Sequence, residues 1–525
     1  MAGMGKPYGL IGDESDFLIH PARIVSGEGV KYYLDCQFNY TGLTHLDSKI
    51  DFDYDPIFRG NANSAQEYEH NSLIGAAFPL AKGRLGVFFA YDQKDGDFDS
   101  NVDLLGGYSR LKSDADSELD NYALKLIYGQ PIMNLNLGVE LGIAYRNENQ
   151  KEWLSYSKYG YGSDEEHGDF YWRDVYGIHG AGATLPFMVP YDSQYWEMSG
   201  KVGLNKKLNA MDIDWTVYGG YILSADSDNK YKVRAGLMHH AETYDGSDFY
   251  EGGEGIRNNM DGDVRGYRIG SDLWVRHQLN EELSLPFLVS VEYTKKDRDG
   301  KNPVFYYEYE TGPGYWDYEM ENTGVNLNYK HVARTLNIKA GGGVEKACEG
   351  CGRLGAGLYY NYIQSRDRIG VGGLYESEDE FGSFYANINK FPYHKEHRLV
   401  LAVAGEQIIS ADCTVRGGMN FFYGWVRSDD YGGSANGGYY IYGDGSGYGW
   451  GKGSLPLDGR NWGIDGSLGA TKKIFGLTVE PFIKGGYRLF DVGDRTYFGG
   501  DSVRLDKKRA EWFTGGGFSI LFGKI

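Results

Sequence analysis

No run of about eighteen apolar residues occurs in this chain, so no transmembrane helix is expected. That absence leaves membrane-crossing strands open, because the polar face of each strand dilutes its hydropathy. Basic tracts are missing too. With 53 Lys and Arg against 73 Asp and Glu the formal charge is -20, which argues against nucleic acid as a partner. The 4 cysteines are too few to staple 525 residues as a disulfide scaffold. No Pro- or Ser-rich linker and no shift of composition marks a boundary. One large domain is therefore expected, at a length where soluble chains usually divide. The start, Met1-Ala2-Gly3-Met4-Gly5, lacks the charge and apolar core of a signal peptide, so a signal already removed is the expectation. No Ser/His/Asp grouping, phosphate loop or zinc motif stands out, and His239-His240 reads as surface. Catalytic residues, metal ligands and cofactors are accordingly not expected, nor is enzymatic activity.

What the chain has is alternation. From Leu135 the odd positions are Leu135, Leu137, Val139, Leu141, Ile143 and Tyr145, while Asn136, Gly138, Glu140, Gly142, Ala144 and Arg146 lie between them. Successive side chains of a strand point to opposite faces, so one face is wholly apolar and the other small, polar or charged. The preceding stretch alternates Tyr122, Leu124, Leu126 and Tyr128 with Ala123, Lys125, Ile127 and Gly129, and a short turn at 130–134 joins the two. Segments of about ten residues tipped with aromatics and repeated along a chain are the signature of a transmembrane β-barrel. Of the residues, 15% are aromatic, with 45 Tyr, enough to tip every strand.

The pattern runs from Tyr32, Leu34, Cys36, Phe38 and Tyr40 to Trp512, Thr514, Phe518, Ile520 and Phe522. Outward positions on the way include Val87, Phe89, Leu285, Val289, Leu358, Phe421 and Ile483. Short and long connections alternate, which gives an all-β, antiparallel barrel of about sixteen strands with short periplasmic turns and long extracellular loops. An even number puts both termini on the side of the short turns. Lys230–His240 and Phe381–Lys390 are also strand-like. No tight turn closes either, so both are placed in loops; if both crossed, the count would be eighteen. Residues 1–28 read as a periplasmic lead-in or partial plug and residues 29–525 as the barrel.

The lead-in carries a resemblance. Gly3-Met4-Gly5, the acidic Asp13-Glu14-Ser15 and His20-Pro21-Ala22-Arg23 are similar to the mature N-terminus of the long-chain fatty acid transporter family of outer-membrane barrels. Lys6-Pro7 stands where that family has Gly-Ala, and His20 where it has Asn. The resemblance implies an outer-membrane barrel, an N-terminal plug and uptake of hydrophobic compounds. Gly517 to Ile525 looks like the terminal strand signal read by the barrel-assembly machinery, although Phe522 stands three residues before the end.

Register places Lys125, Lys201, Lys339, Arg416, Lys484 and Arg488 inward, beside Asp35, Glu140, Glu197, Asp214, Glu292, Glu345, Glu406, Asp465 and Glu480. Such charges must be wet or paired, and they read either as a solvated wall or as a selectivity ring. Acids outnumber bases in this set, so a lean towards cations is expected. Cys348 and Cys351 fall in a periplasmic turn, where CxxC can be a local disulfide, a redox pair or half a metal site; the oxidising periplasm favours the disulfide. Tyr156–Tyr176, Phe305–Tyr318 and Tyr431–Trp450, rich in aromatics, Gly and acid, read first as solvated loops, with a recognition surface, a headgroup-level girdle and a hold on divalent cations against lipopolysaccharide phosphates as the alternatives.

Three functions follow in order of expectation. The first is a porin-like channel for passive diffusion of small solutes in the bacterial outer membrane. The second, implied by the resemblance, is hydrophobic-compound uptake. The third is a structural barrel docking a periplasmic or extracellular redox protein such as a multihaem cytochrome. Outer-membrane lipid and lipopolysaccharide are the expected surroundings, and a homo-oligomer is compatible with a barrel of this size.

Overall fold

In the computed structural model, the residues described are 17–523 without 53–58, 105–108, 165–167, 180–190, 226–229, 244–247, 313–314, 349, 377–382, 432–434, 441–446, 451–456 and 499–500. Sixteen antiparallel strands close into one barrel. The first strand, Lys31–Phe52, pairs with the last, Asp501–Gly523, so the sheet has no free edge there. Closure matters because lipid offers no hydrogen bonds, and every backbone group at membrane depth must find its partner in the wall. Among the described residues no helix is long and apolar enough to cross a membrane.

Short turns fall at 81–82, 133–134, 209–210, 279–282, 350–351, 411–412 and 475–476, all at the end that also holds both termini. At the last of these, Phe475 and Gly476 have φ of 49° and 81°, the paired positive values that a two-residue hairpin needs to match strand twist.

The outer face is apolar and open to the surroundings: Leu141, Leu358 and Ile483 are 60%, 58% and 65% exposed. Val139 and Glu140, neighbours in sequence, differ as the pleat demands, Val139 part-exposed and Glu140 buried. Aromatic ladders edge this belt. Tyr122 pairs with Tyr145, and Tyr145 with Trp196 at 5.1 Å between rings. Tyr40 meets Tyr68 at 4.9 Å and Trp512 at 5.1 Å. At the turn end Tyr32 stacks on Phe522 at 4.9 Å. Tyr and Trp prefer the headgroup level because one end of each ring is apolar and the other wet.

Beyond the belt the structure departs from the sequence expectation. The segments read as solvated loops are largely strand: Leu135–Asp164 and Gly168–His179 contain most of Tyr156–Tyr176, and Leu283–Gly312 and Tyr315–Cys348 contain most of Phe305–Tyr318. Within Tyr431–Trp450, Ala435–Tyr440 and Gly447–Trp450 are short strands. Aromatic residues favour extended backbone, and continuing the ladder satisfies the main chain without a buried core. Lys230–His240, placed in a loop from sequence, forms most of the strand Lys230–Thr243. It pairs with Gly168–His179 and with the outer half of Asp248–Gln278 rather than joining the wall. Ser383–Lys390 is the outer part of the wall strand Ser383–Ser410, while Phe381 lies outside the described residues.

Candidate functional site: an occupied lumen

The inward face of the wall meets the lead-in. Pro21–Ser26 forms a short 3-10 helix that packs on the strands Gly83–Leu104, Ser109–Ile132, Leu135–Asp164 and Tyr191–Leu208. Each wall residue it touches has inward parity. Phe17 lies 5.4 Å from Phe88 and 5.3 Å from Tyr33 between ring centres. With Ile24, Ala77 and Ile127 these form one buried apolar cluster. Glycine makes the seat. A Cβ on Gly138 would stand 2.2 Å from the backbone of Pro21 and Ala22, and one on Gly203 would stand 3.1 Å from the Pro21 ring. Gly138 lies four residues from the turn at 133–134, so the lead-in fills the turn end of the lumen.

Polar contacts fix its position. Arg23 donates through Nε to Asp214 at 2.9 Å, pairs with the same carboxylate through its terminal nitrogen, and reaches Asp212 at 3.5 Å. Asp214 is 1% exposed and also accepts from Asn205 at 3.0 Å. His20 Nδ1 lies 2.9 Å from Thr216 Oγ1, and its ring stands edge-on to Trp274 at 5.3 Å. Lys201 Nζ donates to the Ile19 carbonyl at 3.3 Å and lies 3.7 Å from Glu140.

Burial, then the charges of Arg23 and Lys201, push the His20 imidazole from 6.5 down to about 3. A free imidazole protonates as pH falls through 6.5, whereas the docked one stays neutral until about 3. Docking is therefore fully stable above 6.5 and weakens as pH falls between the two values, by about 1.4 kcal/mol per unit. Single-channel current through the reconstituted protein should rise on acidification, and His20→Asn should flatten that response. A His20→Asn current that tracks pH as the native one does would assign the effect elsewhere.

The charges that register places inward make separate contacts. Lys201 and Asp214 touch the lead-in, and Glu140 lies beside Lys201. Arg416 bridges Glu406 at 3.2 Å and Glu480 at 3.1 Å on the far wall. Glu292 accepts from the Tyr218 hydroxyl at 3.1 Å, and Arg488 covers the Phe513 ring at 4.9 Å. Lys339 stands opposite Ser290 and Asn361, and Lys484 opposite Ser467 and Gly515.

Further bases on the inward side hold several of the acids. Arg146 and Arg268 bind Glu197 at 3.1 and 2.6 Å, Lys296 and Arg298 bind Glu148 at 2.9 and 3.1 Å, and Arg353 binds Glu406 at 2.6 Å. Arg146 lies on the inward face of the alternation that begins at Leu135.

A second apolar patch lines the lumen across from Phe88: Leu288, Tyr359, Val400, Ala402, Ala404 and Phe422 are buried together, with Trp274 packed against them. Cys348 and Cys351 are joined by a disulfide with Cα atoms 5.4 Å apart, in a turn at the end of the termini. Cys36 and Cys413 are free thiols on outward positions.

An apolar belt and aromatic edges define a transmembrane β-barrel, with the lead-in packed against the inward face near the turns. No protein-family model matches the chain, and no curated protein matches it. Among solved structures it is similar to a TodX monoaromatic hydrocarbon channel mutant, with 11% identity over 98% of this chain and 95% of that one and a TM-score of 0.40. A Pseudomonas aeruginosa FadL homologue shows 10% identity over 99% and 97%, with a TM-score of 0.36. The ferric enterobactin receptor PfeA shows 11% over 94% and 82%, with a TM-score of 0.27.

Proposed function

We propose that this chain is an outer-membrane channel for small hydrophobic compounds, closed at its periplasmic end by the lead-in. The observation that carries this reading is the lumen itself. Residues 17–26 occupy its turn end, and apolar side chains pack together on the inward face around Phe88, beneath the lead-in, and around Tyr359. An apolar solute gains from each contact with such a lining, whereas a sugar would leave its hydroxyls without partners. The same features count against passive diffusion of hydrophilic solutes, which needs an open aqueous path.

The test is accumulation by a Gram-negative host expressing the chain. A radiolabelled apolar solute should enter faster than in cells with an empty vector, and a sugar of similar size should not. Equal acceleration of both solutes would return the protein to the porin class, and acceleration of neither would end the channel reading.

A further inference from the structure

Buried charges in this chain come with partners. Glu140 faces Lys201, Glu197 holds Arg146 and Arg268, and Glu345 lies between Arg276 and Arg353. Asp214 holds Arg23, and Arg298 reaches Glu148. Arg84 breaks the rule. It is 6% exposed, and the one hydrogen bond it makes among the described residues runs to the Ala77 carbonyl at 3.5 Å. Its Nε is sealed from solvent and meets no acceptor. Across the ladder stand Pro79 and Gly129, neither of which carries a charge. A second cation, Lys31, stands opposite Ala77 and has contacts of its own.

Backbone covers this guanidinium. A Cβ on Gly27 would stand 3.2 Å from the Arg84 Nε and 3.3 Å from its Cζ and a terminal nitrogen. The root of the lead-in therefore crosses Arg84 as a strap without a side chain. Glu28 and Gly29 follow, both exposed, before the ladder begins at Lys31. No ion pair joins Glu28 to Arg84. Arg84 lies two residues past the turn at 81–82, at the very end of the lumen. Phe88, on the same inward face, belongs to the apolar cluster beneath the lead-in.

A guanidinium withdrawn from water is costly unless an anion stands beside it. Its planar fork carries five donors and matches two oxygens of one carboxylate or phosphate. Only one of those donors reaches an acceptor here, and that acceptor is a neutral carbonyl at the limit of hydrogen-bond distance.

We propose that Arg84, under the Gly27–Gly29 strap, is the binding site for one small oxyanion at the turn end of the lumen. The ligand carries at least two oxygens on one atom, as carboxylates and phosphates do. Bound there, it fastens the root of the lead-in to the strands Arg59–Leu80 and Gly83–Leu104.

Equilibrium dialysis of the full-length protein in detergent against radiolabelled inorganic phosphate, at constant ionic strength, tests this. One phosphate per chain should bind, and Arg84→Gln should weaken it by about tenfold or more. Lys82→Gln, in the adjoining turn, should bind as the native protein does. In phosphate-free buffer Arg84→Gln should unfold no earlier on heating than the native protein, because it loses a buried charge that has no partner. Native-like binding by Arg84→Gln would overturn the proposal. Equal loss with Lys82→Gln would also overturn it, leaving an adventitious ion only. Earlier unfolding of Arg84→Gln would show a partner within the chain and overturn it too. Glu28→Gln should bind within a few-fold of native, and a large gain would make Glu28 the counter-ion and exclude an outside ligand. Competition separates the sources. Stronger displacement by benzoate than by acetate would assign the carboxylate of an apolar solute, and equal displacement a free anion; both results keep the site.

Discussion

Arg23→Met and Gly138→Val should each convert a quiet channel into one that conducts steadily in a planar bilayer. The first removes the guanidinium that meets Asp214, a carboxylate only 1% exposed. Stripping one member from a buried pair typically costs about 3–5 kcal/mol. That is enough to shift a docked segment towards release by a factor of a hundred or more. The second works without charge. A side chain at Gly138 would meet the backbone of Pro21 and Ala22 at 2.2 Å, where no rotamer can give way. The two variants should agree, since one removes the tether and the other fills the seat. Native currents from both would show that the lead-in does not close the lumen.

Val139→Arg should prevent stable insertion, whereas Glu140→Gln should leave a barrel that folds and resists protease. Val139 lies near the middle of the belt, about halfway between the turn at 133–134 and Tyr145. An arginine at such a depth costs about 2–4 kcal/mol in a transmembrane barrel. Leu141→Arg, at a position 60% exposed, should behave the same way. Glu140 is 6% exposed and faces Lys201, so the amide keeps its shape and loses only one charge. Heat-shifted mobility after refolding into vesicles would read both. Similar mobility for Val139→Arg and the native protein would mean that the belt is not where the alternation puts it.

The belt was legible because alternation is a local signal: Leu135 to Tyr145 declares its two faces without reference to any other strand. The turns were legible for the same reason. The seat of the lead-in was not. Gly138 and Gly203 read from sequence as small lumen positions, and nothing near them announces that Pro21 and Ala22 will lie on top. Such a contact spans more than a hundred residues and leaves only a missing side chain as its trace. The outer hairpins were missed for a different reason. Tyr, Gly and acid occupy both faces there, so no apolar side identifies a strand even where the ladder continues.

The position of the lead-in also constrains the order in which the molecule can be assembled. The segment is among the first parts of the described chain to be made, yet Thr216, Asp214 and Trp274, which hold it, come some two hundred residues later. It is continuous with the strand Lys31–Phe52, whose partner is the last strand of all. The earliest stretch to appear must therefore wait, undocked, for much of the wall, and it is enclosed only when first and last strands meet. Ring closure and docking become consecutive late events, and a trapped intermediate with the wall complete and the lead-in outside is the expected misassembled form.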